Sequence, residues 1–241
     1  IIVTGSISYD DDLCAYVIVF NSSDIVSMTG LLGTYIIRVT FEKKYYENQE
    51  ALITVTVQPM ESNLEVSETS VEMHYNESCM FTFRYMDIAE GRQILDATAT
   101  YEIIYNDSVI AAGYVQFDSD EDFYYLVFNS SEFINETSPR LGVYIIHVIF
   151  SKQFYEDEEK YLSVNVMARE TILELSEVSI DIEYGEKHRI VLWYIDAKTY
   201  NPIPYADARY WIYYGDMLII SGELVYCEDN GSYYLIFDTK E

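Results

Sequence analysis

Six of the ten asparagines in this sequence stand in Asn-x-Ser or Asn-x-Thr triplets, the acceptor sequence for N-linked sugars. These asparagines are Asn21, Asn76, Asn106, Asn129, Asn135 and Asn230. All six fall where the strand-like runs end, so a bulky sugar could project from a turn there. The alternative is plain turn chemistry, because Asn favours turns with or without a sugar. We expect N-linked glycans on at least some of the six.

Acidic residues gather at one turn that recurs along the chain, and carboxylate oxygens are ligands for Ca²⁺. The candidate ligands are Asp10, Asp12, Asp118, Asp120, Asp122 and Asp229. The complete EF-hand spacing is absent, and the alternative is a solvated acidic turn between two strands. Glutamates that recur near the breaks between repeats are a second cation option: Glu61, Glu65, Glu170 and Glu174.

Catalytic signatures are missing from the sequence. His74, His147 and His188 have no partner that recurs with them, and Arg38 replaces His147 in the matching stretch. There is no Gly-x-Ser-x-Gly elbow, no His-Glu-x-x-His and no phosphate-binding loop. We therefore predict that the chain is not an enzyme, and we expect no cofactor apart from a Ca²⁺ ion at the acidic turns.

One aromatic cluster offers a stacking surface for a sugar or a partner protein. Its members are Tyr210, Trp211, Tyr213 and Tyr214, with Trp193 on a neighbouring predicted strand. Strand alternation places Tyr210 and Tyr214 on one face and Trp211 and Tyr213 on the other. Because one face should be core, ligand binding is the less favoured interpretation.

The charge balance restricts the partners. Forty-one acidic residues against 14 basic ones give a formal charge of −27, which repels nucleic acid and anionic lipid. No apolar run approaches the roughly 18 residues that cross a bilayer, so we expect no membrane contact in this segment. The cysteines, Cys14, Cys79 and Cys227, do not recur at matching positions, which argues against a disulfide in each domain.

The strongest signal is an internal repeat of about 109 residues. Tyr16, Tyr124 and Tyr233 mark it, and the run from Gly33 to Lys43 matches the run from Gly142 to Lys152. Polar breaks divide the chain into the C-terminal part of one domain (1–59), a complete domain (60–168) and the N-terminal part of a third (169–241).

Within the complete repeat, apolar residues alternate with period two and no stretch shows helical periodicity. Seven strands are predicted: 64–75 with a break near Ser67, 79–85, 97–105, 113–117, 123–128, 143–150 as the central strand, and 161–166. Two sheets must pack face to face, because a single sheet would leave one apolar face wet. The fold class is all-β, a tandem array of seven-stranded antiparallel sandwiches.

Gly142-Val-Tyr144-Ile-Ile-His-Val148, like Gly33-Thr-Tyr35-Ile-Ile-Arg-Val39, resembles the sixth strand of immunoglobulin-like domains. Tyr184-Gly-Glu, Tyr194-Ile-Asp196 and Pro202-Ile-Pro-Tyr-Ala206 resemble immunoglobulin-like or fibronectin-III-like repeats of large archaeal and bacterial surface proteins. The resemblance implies a structural extracellular module of a surface-layer, sheath, stalk or filament protein. The alternatives are an adhesin or carbohydrate-binding module, and accessory domains of a secreted enzyme.

The ends of the sequence allow two interpretations. The first domain would lack its early strands and the last its final two, and strand exchange between copies or neighbouring repeats would supply both. The favoured alternative is that the sequence is a window on a longer polypeptide.

Overall fold

The computed structural model describes residues 7–19, 21–134 and 141–240, and within them nearly all regular structure is β. The first segment contains β1 (Ser8–Asp10), β2 (Ala15–Val17), α1 (Ser22–Thr29), β3 (Gly33–Phe41) and β4 (Gln49–Val57). The middle segment contains β5 (Ser62–Val66), β6 (Ser70–His74), β7 (Ser78–Asp87), β8 (Arg92–Gln93), β9 (Thr98–Tyr105), β10 (Ser108–Tyr114), β11 (Gln116–Asp118), β12 (Phe123–Asn129), α2 (Ser130–Phe133), β13 (Gly142–Ser151) and β14 (Glu158–Met167). The last segment contains β15 (Thr171–Leu175), β16 (Lys187–Asp196), β17 (Arg209–Tyr214), β18 (Met217–Glu223), β19 (Val225–Cys227) and β20 (Ser232–Asp238).

The chain divides into two compact units. The first holds the described residues up to Val71 together with Cys79–Phe128 and Val143–Val164, and the second holds the remaining described residues.

The middle segment is an immunoglobulin-like sandwich of two sheets. One sheet has the order β10-β9-β13-β14-β6, and the other has the order β11-β12-β7-β5 with β8 beside β7. Phe150 on β13 joins the sheets across the core, because its ring centroid lies 5.6 Å from that of Phe83 and 5.1 Å from that of Tyr124. The predicted fold class is therefore confirmed, and β13 is central in its sheet as expected.

Period-two alternation explains the core. Along β7 the side chains of Phe81, Phe83 and Tyr85 are almost fully buried, whereas the residues between them are more exposed. Successive side chains of a strand point to opposite faces, so every second residue enters the core. The same alternation buries Ile146, Val148 and Phe150 on β13.

The first and last segments contain parts of the same plan. The first has two hairpins, β1–β2 and β3–β4, which match β11–β12 and β13–β14 of the middle segment. The last has a sheet β15-β16-β20-β19 and a hairpin β17–β18, which match β5-β7-β12-β11 and β9–β10. The 109-residue repeat in the sequence is thus a repeat of strand pairing.

Several details correct the sequence-based predictions. The seven predicted strand regions are all β, but 64–75 and 113–117 each divide between the two sheets. Because β8 is additional, the middle segment has ten strands.

Two helices are present where none was predicted. Asn21 caps α1 and Gly30 ends it in the left-handed conformation, with φ 68°. Neither helix among the described residues is long and apolar enough to span a membrane.

Candidate functional site

Three of the glycosylation triplets share one turn geometry. The side-chain oxygen Oδ1 of Asn21 accepts hydrogen bonds from the backbone N–H of Ser23 at 3.0 Å and from its hydroxyl at 2.7 Å. Asn129 accepts the same pair from Ser131 at 3.2 and 2.8 Å. Asn230 accepts it from Ser232 at 3.2 and 2.7 Å. The serine that completes each triplet therefore holds the asparagine carbonyl.

This geometry separates the two ends of the asparagine amide. A sugar bonds to Nδ2, and the hydrogen bonds that shape these turns use Oδ1. Asn21 and Asn230 are exposed, and Asn129 is half-buried. Glycosylation would thus keep the hydrogen bonds that define the turn.

The remaining triplets lie on different turns. Asn76 and Asn106 are exposed and have the left-handed backbone, with φ 65° and 49°. Asn106 and Asp107, with φ 59°, form the two-residue turn between β9 and β10, as expected for a tight hairpin. Asn135 lies outside the described residues. Attachment of sugar at these positions stays a prediction.

The acidic turns have an internal structural role. The side chain of Asp118 accepts hydrogen bonds from the backbone N–H groups of Asp120 at 2.9 Å and Glu121 at 3.2 Å. Asp10 does the same toward Asp12 at 3.0 Å and Leu13 at 3.1 Å. These bonds fold the loop between two strands.

The last residue of this turn keeps one conformation in three copies. Cys14, Asp122 and Gly231 occupy the equivalent position, with φ 49°, 53° and 64°. In the last copy Cys227 stands where Asp118 stands in the middle one, and Asp229 lies two residues after it.

Within residues 7–19, 21–134 and 141–240, no three His, Cys, Asp or Glu side chains are grouped so that they could hold a metal ion. The Ca²⁺ hypothesis stays a prediction without geometric support.

Each histidine has its own glutamate. The Nε2 of His147 lies 2.9 Å from Glu159, and its ring stacks on Tyr161 with centroids 4.3 Å apart. The equivalent pair in the first segment is Arg38–Glu50 at 2.6 Å. The Nε2 of His188 on β16 lies 2.9 Å from Glu177, and the Nδ1 of His74 lies 3.8 Å from Glu77. The repeat preserves a contact between a basic side chain and a glutamate at the His147 position, and this favours a structural role for this histidine.

The aromatic cluster is distributed differently from the prediction. Trp211, Tyr213 and Tyr214 on β17 are 54%, 60% and 80% exposed. Tyr210 instead lies across Gly222 on β18, where an added Cβ would approach its ring within 2.9 Å. Trp193 lies on β16, which belongs to another sheet. The exposed rings of Trp211 and Tyr213, which lie two residues apart on one face of β17, are therefore the candidate ligand surface.

A buried tyrosine hydroxyl ties a loop to the core in two repeats. The hydroxyl of Tyr124 accepts a hydrogen bond from Ala97 N–H at 2.9 Å and donates to the Ile94 carbonyl at 3.4 Å. Tyr233 makes the same two bonds, to Ala206 at 2.7 Å and to Ile203 at 2.7 Å. Burial raises the pKa of Tyr124. The sequence showed that these tyrosines are equally spaced, but it did not reveal which backbone groups their hydroxyls bind.

A buried carboxylate organises the loop after β7 and after β16. Asp87 accepts a hydrogen bond from the N–H of Glu90 at 3.0 Å, and Asp196 accepts one from Thr199 at 2.8 Å. These backbone N–H groups are the main reason that the pKa of each carboxyl lies below its usual range. The other oxygen of Asp196 pairs with Arg169 at 2.6 Å.

The cysteine thiols are free. Cys14 is exposed, whereas burial raises the pKa of the Cys79 thiol to about 11. A thiol with this pKa is almost entirely protonated at neutral pH and is a poor nucleophile. These three positions therefore do not form a cross-linked framework.

No protein-family model matches the sequence, and no curated protein matches it. Among solved structures, the chain is similar to E. coli α2-macroglobulin in its native conformation, with 10% identity over 84% of this chain and a TM-score of 0.33. It is similar to tandem immunoglobulin domains of titin, with 14% identity over 73% of this chain and 81% of that chain, at TM-score 0.27. It is also similar to domains 4–9 of the surface layer protein SbsC, with 16% identity over 86% of this chain and 31% of that chain, at TM-score 0.29.

The chain spans 14% of the α2-macroglobulin chain that it matches. These TM-scores all lie below 0.5, so the likenesses carry no argument about function. The fold assignment depends on the strand pairing and the core of the chain itself.

Proposed function

We propose that this chain is a structural, non-enzymatic module of an extracellular protein, a series of sandwiches in a surface layer, stalk or filament of an archaeal or bacterial cell. One observation carries the proposal: the repeat preserves framework contacts. The tyrosine hydroxyl bonds of Tyr124 and Tyr233 recur, and so does the Tyr–Gly pair of β9–β10 and β17–β18.

What the repeat does not preserve is equally informative. Trp211 and Trp193 replace Glu102 and Arg84, and His147 alternates with Arg38. These three positions thus change from copy to copy, whereas the hydroxyl bonds of Tyr124 and Tyr233 and the Tyr–Gly pair stay. A module selected for spacing and stability would show this pattern, because function depends on specific sites and not on the fold.

The surface fits an exported protein. Four of the five described glycosylation triplets have an exposed asparagine. A formal charge of −27 favours solubility of such a surface. The direct test is labelling of intact cells of the native source with a membrane-impermeant amine reagent, followed by intact-mass measurement before and after glycosidase treatment. Labelling together with a mass loss on deglycosylation supports the proposal. A protein labelled only after cell lysis would contradict it.

The serine hydroxyl of the triplet allows a sharper test. We expect Ser131→Ala to remove one glycan mass from the native protein, because the triplet at Asn129 then lacks its hydroxyl. Ser131→Thr keeps the triplet and is the matched control, with an unchanged glycan mass. Equal glycan masses for the two variants would show that Asn129 carries no sugar.

An adhesin or carbohydrate-binding role is the second candidate, and the exposed rings of Trp211 and Tyr213 favour it. If it holds, Trp211→Ala should abolish binding on a glycan array that the unchanged chain recognises. Tyr114→Ala, which removes a ring 74% exposed on β10, is the matched control. An array without a single hit for the unchanged chain would contradict this role.

A further inference from the structure

The last segment carries an apolar surface on one of its sheets. In the sheet β15-β16-β20-β19, Tyr233 is buried in the core, so its neighbours Ser232 and Tyr234 point to the opposite, outer face. The register extends this face across the sheet, because Tyr234 pairs with Val191 on β16 and with Val225 on β19. We call its apolar side chains the outer patch: Ile172, Val191, Trp193, Val225, Tyr234 and Ile236.

This face is open to solvent even where the sandwich is complete. The middle segment has both of its sheets, and Val127 and Met80 occupy there the positions of Ile236 and Arg189. Val127 is 52% exposed and Met80 is 54% exposed. Ile236 and Val225 are exposed to the same degree, at 58% and 52%. The exposure of the outer patch therefore does not depend on the second sheet of the sandwich.

The apolar character of the outer patch is a departure from the repeat. At four of its six positions, the middle segment has polar side chains. Asn63, Thr82, Arg84 and Gln116 are replaced by Ile172, Val191, Trp193 and Val225. An exposed apolar patch with polar residues around it marks a contact surface. A cover is thus expected over this sheet in the last segment and not in the middle one.

A glycosylation triplet accompanies this change. Asn230 lies in the turn between β19 and β20, and its equivalent in the middle segment is Glu121, which begins no triplet. Ser232 points to the outer face, and its hydroxyl donates to Oδ1 of the exposed Asn230 at 2.7 Å. The asparagine amide therefore lies on the same side of the sheet as the outer patch.

We propose that the N-linked glycan of Asn230 lies along the outer patch and covers Trp193 and Tyr234. This contact presupposes the glycosylation of the proposed function. Sugar rings have apolar C–H faces that stack on aromatic side chains, while their hydroxyls stay in water. The Cζ of Arg189 lies 4.0 Å from the centroid of Tyr234, and its guanidinium adds N–H donors for those hydroxyls. The sugar is favoured over a protein as the occupant, because the triplet and the patch occur together in one copy of the repeat.

Hydroxyl-radical footprinting tests the contact in the native glycosylated protein. Asn230→Asp removes the triplet but keeps an oxygen that accepts both bonds from Ser232, so the turn is conserved. We expect the oxidation rate of Trp193 to rise by about twofold or more in this variant, because the ring loses its cover. The rate of Trp211, which lies on β17 in another sheet, should stay the same.

Asn21→Asp is the matched control, because Asn21 accepts the same two bonds from Ser23. It removes a triplet from the first segment and should leave the oxidation rate of Trp193 unchanged. Glycopeptide masses show which asparagines carry sugar. A sugar on Asn230 whose removal does not change the Trp193 rate would overturn the proposal and assign the patch to a protein partner. An Asn230 peptide without sugar would also overturn it, whereas sugar on Asn21 or Asn129 would leave the proposed function intact.

Dye binding gives an independent measurement. Asn230→Asp should raise the fluorescence of the apolar dye ANS, which binds exposed hydrophobic surface. Adding Val225→Gln, which restores the residue type of the middle segment, should reduce this rise. Val143→Gln on β13 replaces a valine that is also 52% exposed and should leave the rise unchanged. No rise in Asn230→Asp, or equal reductions by the two glutamines, would contradict a glycan that covers the outer patch.

Discussion

Tyr124 joins the loop before β9 to the core through both functions of one hydroxyl. It accepts from Ala97 N–H and donates to the Ile94 carbonyl, and the ring packs edge-on against Phe150. The same bonds at Tyr233 show that the contact belongs to the repeat. A buried backbone N–H that loses its partner costs more than the bond itself contributes, because water does not replace it.

We expect Tyr124→Phe to lower the free energy of unfolding by about 1–3 kcal/mol, the cost of an unsatisfied buried polar group. The ring stays, so packing is conserved and the loss reports the hydroxyl. Urea unfolding followed by circular dichroism measures it. Tyr114→Phe removes a hydroxyl from a side chain that is 74% exposed and should have no effect. Equal stabilities for the two variants would contradict this account of the tyrosine.

At the scale of elements, strand alternation was sufficient to place most of the strands. The run 79–85 alternates over a buried face, and hydrophobic burial enforces that period. The changes of sheet near Ser67 and Val115 were harder, because a strand that leaves one sheet for the other keeps its β composition. Only the first of them carried a polar break in the sequence.

The helices and the site geometry were missed for different reasons. Helix α1 has eight residues and α2 has four, too few for a 3.6-residue period to be visible. Their N-caps Asn21 and Asn129 were already noted, but as sugar acceptors. That the same oxygen of each caps a helix depends on the backbone path, which residue types alone do not determine.

The β9–β10 hairpin pairs a glycine with a tyrosine across the strands. Gly113 faces Tyr101, and an added Cβ would lie 3.0 Å from its hydroxyl oxygen and 3.1 Å from the ring. We expect Gly113→Ala to be destabilising by about 1 kcal/mol while Tyr101 is present, because the ring must move. With Tyr101→Ala the same change should be stabilising, because Gly weakens a strand interior.

A double-mutant cycle on urea unfolding measures this coupling, with an expected interaction energy of about 0.5–3 kcal/mol. Gly91, with φ 62° and nothing within 4 Å of an added Cβ, is a useful contrast. Gly91→Ala should be destabilising to the same degree with and without Tyr101. Additive effects of Gly113→Ala and Tyr101→Ala would show that the ring does not depend on the glycine.

At the scale of the whole molecule, charge opposes compactness. Forty-one acidic and 14 basic residues leave 27 negative charges without a basic counterpart. The exposed ion pairs, such as Arg38–Glu50, contribute at most about 1 kcal/mol each. The destabilisation from repulsion among the excess carboxylates should therefore exceed the stabilisation from the ion pairs. Added salt weakens both.

We expect the thermal midpoint to rise with added NaCl, since the screening length falls from about 30 Å at 0.01 M to about 3 Å at 1 M. Each kcal/mol of relieved repulsion should raise the midpoint by about 2–4 °C in a chain of this size. Calorimetry in an NaCl series measures it, with a sucrose series as the control for solute exclusion. A midpoint that falls with salt would show that the ion pairs dominate.

In the three serine-held asparagines, the atom that shapes the turn differs from the atom that a sugar would bond to. At Asn21, Asn129 and Asn230 the turn uses Oδ1, whereas a sugar would bond to Nδ2. A coat of carbohydrate could then differ from one molecule to the next, or grow and be trimmed, while the polypeptide skeleton beneath it stayed uniform.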